Sequence, residues 1–160
     1  KNPTFIPRMR SIAEKFENAK IIYPLRTPYS TIPSTISLNA HILSNFCKLP
    51  VEYPFISETR DFVLDWYVIA ERTLRERVKE RGIKVNYDRI ANDPEALLID
   101  LYDFLDLDAP KQNLSLKRKQ NNGSEYKSLH FYPKDLGIDP DLINERLKGI
   151  IPQEMLNKIC

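Results

Sequence analysis

Apolar and polar residues alternate with two different periods along this chain. Met9, Ile12, Ala13 and Phe16 recur at helical spacing behind Pro7, a residue suited to an early helical position. Residues 20–25, KIIYPL, form a short apolar run that reads as a buried strand. Pro24 cannot donate to a ladder and marks a strand end or a bulge. Thr27-Pro28 has the form of an N-cap followed by Pro at the first helical position. That helix is expected to run towards Phe46 with a kink near Pro33. Residues 48–54 are a Pro-flanked connection. Residues 57–81 are the longest periodic segment, with Phe62, Trp66, Ile69, Ala70, Leu74 and Val78 as its apolar stripe. Gly82 is expected to end it in the left-handed conformation. Residues 83–87, IKVNY, read as a second strand. Asp93 caps and Pro94 opens the next helix, whose buried face is Leu97, Leu98, Leu101, Tyr102, Phe104 and Leu105. Residues 108–124 are polar and basic without periodicity, and read as a loop. Pro140 begins a last helix carrying Leu142, Ile143, Leu147 and Ile150.

Strands separated by helices predict an α/β fold, a parallel sheet flanked by helices. Two strands do not make such a sheet stable alone, so other strands are expected upstream. The first residue is Lys rather than Met, which fits a chain that starts in the middle of something.

Composition narrows the function classes. The 160 residues suit one domain with a real core, and the 29% charged fraction is ordinary for a globular protein. A net charge of +2 is too small to argue for nucleic acid or an anionic membrane. No apolar run approaches the ~20 residues of a spanning helix. Cys47 and Cys160 form no metal or redox spacing, and no His/Cys/Asp cluster implies a metal. Two Asn-x-Ser triplets, at Asn113 and Asn122, are short enough to occur by chance, so a cytoplasmic location is expected.

Arg26 is the first candidate for chemistry. It follows a predicted strand and precedes a helix start, the crevice where open α/β sheets bind ligands. A helix start offers N–H groups and the positive end of a dipole. Arg26 adds a planar cation that can grip two phosphate oxygens. Ser34, two turns into the helix, can donate to the same anion. The plainer alternative is an Arg paired with a nearby carboxylate and a Ser on a polar helix face. For Tyr87, the plain reading is a core Tyr with its hydroxyl bonded. His130 fits a structural or surface role, and Lys117-Arg118-Lys119 a solvated loop or an anion-attracting patch.

Residues 20–34, KIIYPLRTPYSTIPS, resemble the segment of PAPS-dependent sulfotransferases that binds the 3′-phosphate of the donor, 3′-phosphoadenosine 5′-phosphosulfate. Arg26, Pro28 and Ser34 match in identity and spacing; Thr27 and Pro24 depart from the usual residues. Residues 16–20 resemble the family's Phe-Pro-x-Ala-Lys lead into that strand. Residues 85–90 followed by Asp93-Pro94-Glu95 resemble its Tyr-Glu-Asp-Leu…Asp-Pro-Glu segment, where the Tyr lies by the donor's adenine. Residues 126–132, then 136–138, resemble the C-terminal segment of the bacterial-type branch. In other branches a C-terminal basic loop closes over the donor phosphate, which makes Lys127 and Ser128 candidates for that role.

The resemblance implies a P-loop-like sulfotransferase fold, with residues 1–160 as the C-terminal part of a single domain. It implies PAPS as co-substrate and a small-molecule, lipid or sugar acceptor carrying a hydroxyl or amine. It places Lys1 at a strand end near the transferring sulfuryl group, where a cation can stabilise charge on the bridging oxygen. Some branches carry a catalytic His two residues later; here that residue is Pro3. None of the four Gly residues forms a loop to cradle the 5′-phosphosulfate, so that site too is expected from a missing N-terminal segment, covalent or separate. Two other readings stay open. One is a kinase-like phosphate-binding α/β protein. The other is a non-catalytic helical module, for which Ile21 and Val85 would not share a sheet.

Overall fold

The structure, a computed structural model, describes residues 3–47, 53–109 and 136–157. A 3-10 turn at Pro3–Arg8 leads into α1 (Met9–Lys15). Then come β1 (Ile21–Leu25), α2 (Pro28–Phe46) and α3 (Ile56–Thr73). A π turn at Leu74–Val78 and a 3-10 turn at Lys79–Arg81 deliver the chain to β2 (Gly82–Asn86). After it come α4 (Tyr87–Asn92), α5 (Pro94–Phe104), α6 (Pro140–Leu147) and α7 (Gln153–Leu156).

The strands pair in parallel, from Ile21 opposite Gly82 to Leu25 opposite Asn86. A parallel pair needs a long crossover, and α2 and α3 supply it. The fold is therefore α/β, a parallel sheet flanked by helices, as the helix–strand order predicts. Among the described residues the sheet has two strands. Pro24 pairs with Val85 within the ladder, so the condition attached to a purely helical module is not met.

Side chains alternate across a strand, and one face of β1 carries Tyr23 and Leu25 into the core. There they meet Ile32 and Ile36 of α2, Leu64 and Ala70 of α3, and Ile143 and Leu147 of α6, all but the strand pair fully buried. The Tyr29 hydroxyl reaches Pro140 O and Asn144 Oδ1, both at 3.3 Å, tying α2 to α6.

Two cationic side chains hold chain ends in place. Arg81 donates to Phe16 O and Ala19 O at 3.2 Å, Ala13 O at 3.3 Å and Arg77 O at 3.2 Å. It thereby ties the end of α1 and the turn into β1 to the π turn before β2. Lys20 donates to Phe104 O at the end of α5 and to Asp106, and sits 5.3 Å from the Phe104 ring.

Four local expectations change. The buried face of α3 is Thr59, Val63, Leu64, Tyr67 and Ala70, whereas Phe62 is half exposed and stacks on Trp66 at 4.3 Å. Gly82 is extended (φ −120°), and the left-handed residue is Lys79 (φ 52°). Gly is needed at 82 for space: a Cβ there would lie 2.8 Å from Val78 Cγ1 and 2.9 Å from Leu74 Cδ2. Tyr87 opens α4 rather than ending β2. On α5 only Leu97 is fully buried.

Candidate functional site at the C-terminal ends of the strands

Leu25 and Asn86 are the last rung of the ladder, so the residues that follow leave the sheet side by side. Those residues are Arg26 and Tyr87. The Arg26 guanidinium carbon lies 5.0 Å from the centre of the Tyr87 ring, a cation–π contact. The ring is 37% exposed and the arginine is half-buried, so both still face solvent. Among the described residues no carboxylate forms an ion pair with Arg26.

The turn from β1 to α2 is held from behind by α3. The buried Tyr67 hydroxyl donates to Arg26 O at 2.6 Å and meets Thr31 Oγ1 at 2.8 Å. Thr31 Oγ1 is also 3.0 Å from Thr27 O. Each hydroxyl has one proton. The assignment that serves both Tyr67 contacts has Tyr67 donating to Arg26 O and Thr31 donating to Tyr67. Burial pushes the Tyr67 phenol up to about 12, against opposing pulls from the Thr31 hydrogen bond and the Arg26 charge. Tyr67 is thus a neutral donor at ordinary pH, and it fixes the backbone that carries Arg26.

The start of α2 offers fewer free amides than its sequence promises. Thr27 occupies the N-cap, but its hydroxyl donates to Met155 O at 3.0 Å instead of capping. Pro28 has no N–H. The amides of Ser30 and Thr31 bond Thr27 O at 3.1 and 3.0 Å. An anion here must rely on the Arg26 fork, the helix dipole and side-chain hydroxyls. Ser34 is exposed on the second turn, about 9 Å along the axis from Pro28 at 1.5 Å per residue. From Ser34 a stripe continues at every fourth residue through Leu38, Ile42 and Phe46, which are 54%, 43% and 84% exposed.

The sulfotransferase family profile matches residues 1–111. The chain belongs to the sulfotransferase family. One relative is the omega-hydroxy-beta-dihydromenaquinone-9 sulfotransferase Stf3 of Mycobacterium bovis, 34% identical over 111 residues. That stretch is 67% of this chain and 28% of the relative. The protein of the same name from Mycobacterium tuberculosis gives the same figures. The match thus spans little more than a quarter of the length of these relatives. No solved structure matches.

Within this sulfotransferase-family chain, the fold brings together Arg26 and Tyr87 and sets Ser34 farther along α2. Lys1, Lys127, Ser128 and His130 lie outside the described residues. No group of three or more metal-ligating side chains occurs among the described residues. No helix there is long and apolar enough to cross a membrane. Cys47 is free and exposed. Sequence reasoning missed Tyr67. It lies 41 residues from Arg26, and no local spacing links a helix hydroxyl to a distant carbonyl.

Proposed function

We propose that this chain carries the 3′-phosphate and adenine side of a sulfotransferase that uses PAPS. The observation that carries the reading is the pairing of Arg26, without a carboxylate partner among the described residues, with the Tyr87 ring at one strand end. Arg26 would grip the 3′-phosphate bidentately, and the Ser34 hydroxyl would donate to it. One face of the Tyr87 ring is taken by the guanidinium, so a purine would use the other face or the edge. When bound, PAPS supplies the sulfuryl group. The contribution of these residues is to bind and orient its nucleotide end. Lys1 would stabilise developing charge at the other end, and Lys127 and Ser128 would close over the phosphate. The whole domain would be larger, with upstream strands completing the sheet and supplying the 5′ site.

For the acceptor we infer a hydroxylated lipid. Both relatives are named for a hydroxylated menaquinone, and the exposed Leu38, Ile42 and Phe46 offer an apolar wall that starts beside Ser34.

Arg26→Ala should weaken binding of 3′-phosphoadenosine 5′-phosphate by about 2–3 kcal/mol, because a charged two-point contact is lost. Arg26→Lys should restore only part of it, since a point charge does not replace a fork. Calorimetry giving equal affinity for wild type and Arg26→Ala sinks the assignment. Mg²⁺-dependent binding of ATP in preference to this nucleotide would favour the kinase-like reading instead.

A further inference from the structure

We propose a second ligand site at the opposite end of the ladder, for a small molecule carrying both an oxyanion and a hydroxyl group. It stands independently of the donor reading. The site is a cavity of about 380 Å³ beside Gly82, the first rung of β2. Four strand rises, about 13 Å, separate that rung from Asn86. Arg72, Arg75, Lys79 and Lys84 line it, with Glu71 as its acidic member and Ile150 on its apolar side.

Three features mark this cavity as more than a solvated charged face. The first is spare positive charge. Arg72 and Lys79 have no ion pair among the described residues, and Arg75 has only a long 3.8 Å contact with Glu76. The second is a spare acceptor. Glu71 Oε2 takes the Lys84 ammonium at 2.9 Å, but Oε1 is buried with no partner among the described residues. A buried acceptor left bare is costly, and a small turn of this carboxyl towards the cavity that Glu71 lines would let a ligand hydroxyl relieve it. The third is the backbone. A π turn at Leu74–Val78 bounds the cavity, and Lys79 adopts φ 52°, ψ −127°, a strained conformation for a residue with a Cβ. Such turns and outliers gather at functional sites. The turn is also fixed in place, because only Gly at 82 allows Val78 and Leu74 to approach β2 so closely. The volume is within the range of small-molecule sites.

The test is calorimetry of the 160-residue chain with ribose 5-phosphate, inorganic phosphate and ribose. Ribose 5-phosphate is expected to bind at least tenfold more tightly than inorganic phosphate, and ribose not measurably. Replacing both arginines, Arg72→Ala with Arg75→Ala, should weaken ribose 5-phosphate at least tenfold. Both side chains are exposed, so the fold should survive, and circular dichroism checks this. Arg26→Ala should leave this binding unchanged. The proposal is overturned if no phosphate binds, if inorganic phosphate binds as well as the sugar phosphate, or if only Arg26→Ala abolishes binding.

Discussion

The two faces of the β1–β2 ladder are covered very differently. On one face Tyr23 and Leu25 are buried under α2, α3 and α6. On the other, Ile22 is 39% exposed, Pro24 is exposed, and Val85 is buried outside the main core. The continuous apolar run of β1 is the signature of a parallel strand buried on both sides. The described residues cover the Tyr23–Leu25 side fully and the other side only in part, at Val85. The difference separates what this segment stabilises by itself from what it presents to the rest of a larger sulfotransferase domain, as proposed above.

Core truncations should show the largest contrast. Leu64 is fully buried among α2, α3 and α6, and Leu64→Ala should cost about 3–4 kcal/mol. Leu97 is buried too, but its helix neighbours Leu98, Leu101 and Phe104 are half-exposed and can relax into the space. Leu97→Ala should cost nearer 2 kcal/mol, at the low end of the same range. Urea unfolding compares the two, and equal losses would end the claim of one strong core and one weak one.

The two cationic staples repeat the contrast at smaller scale. Arg81 joins four carbonyls and is half-buried, so Arg81→Ala should cost about 1–2 kcal/mol. Lys20 leans on Asp106, whose side chain is 85% exposed, and Lys20→Ala should cost under about 1 kcal/mol. A larger loss at Lys20 would show that α5 is tied more firmly than its exposure implies.

Buried phenols give a pH signature on the well-packed side. Tyr23, Tyr29 and Tyr67 all have pKa values raised, first by burial. The folded state thus holds these protons more tightly than the unfolded state, whose phenols titrate near 10. The linked stability is fully present below pH 10 and is lost as pH rises towards the folded values, about 12 for Tyr67. In an alkaline titration followed by phenolate absorbance, these tyrosines should ionise late and together with unfolding. Ionisation of all eight tyrosines near pH 10 with the fold intact would contradict their burial.

Much of this was legible in the sequence because it rests on local pattern. Two apolar runs separated by helices predict parallel strands, and strand-end logic places Arg26 and Tyr87 at one crevice. The face of α3 was not legible. Phe62 and Ile69 are apolar yet lie outside, while Thr59, Tyr67 and Thr73 go inside; the Tyr67 hydroxyl meets Thr31 of α2 and Arg26 O, and Thr59 meets the Tyr53 hydroxyl. The helix ends through a π turn at Leu74–Val78 that helical periodicity does not anticipate, and the positive-φ residue is Lys79, three residues before Gly82. Residues 136–157 complete the core although the family match ends at 111.

The smallest expected effect is the sharpest test of the comparison. Ile22 lies on the open face, partly in water, so Ile22→Lys in the 160-residue chain should change stability by about 0.5 kcal/mol or less. A lysine there would also interrupt an apolar strand beside an edge that no described residue pairs, and solubility should rise. Urea midpoints and light scattering read both effects. The same substitution in a longer chain whose further elements cover this face should cost several-fold more, because an ammonium would then be desolvated without a partner. A loss of 2 kcal/mol or more already in the 160-residue chain would mean that Ile22 is covered there. The two faces would then be alike, and the claim that this face is left for the rest of a larger domain to cover would fail.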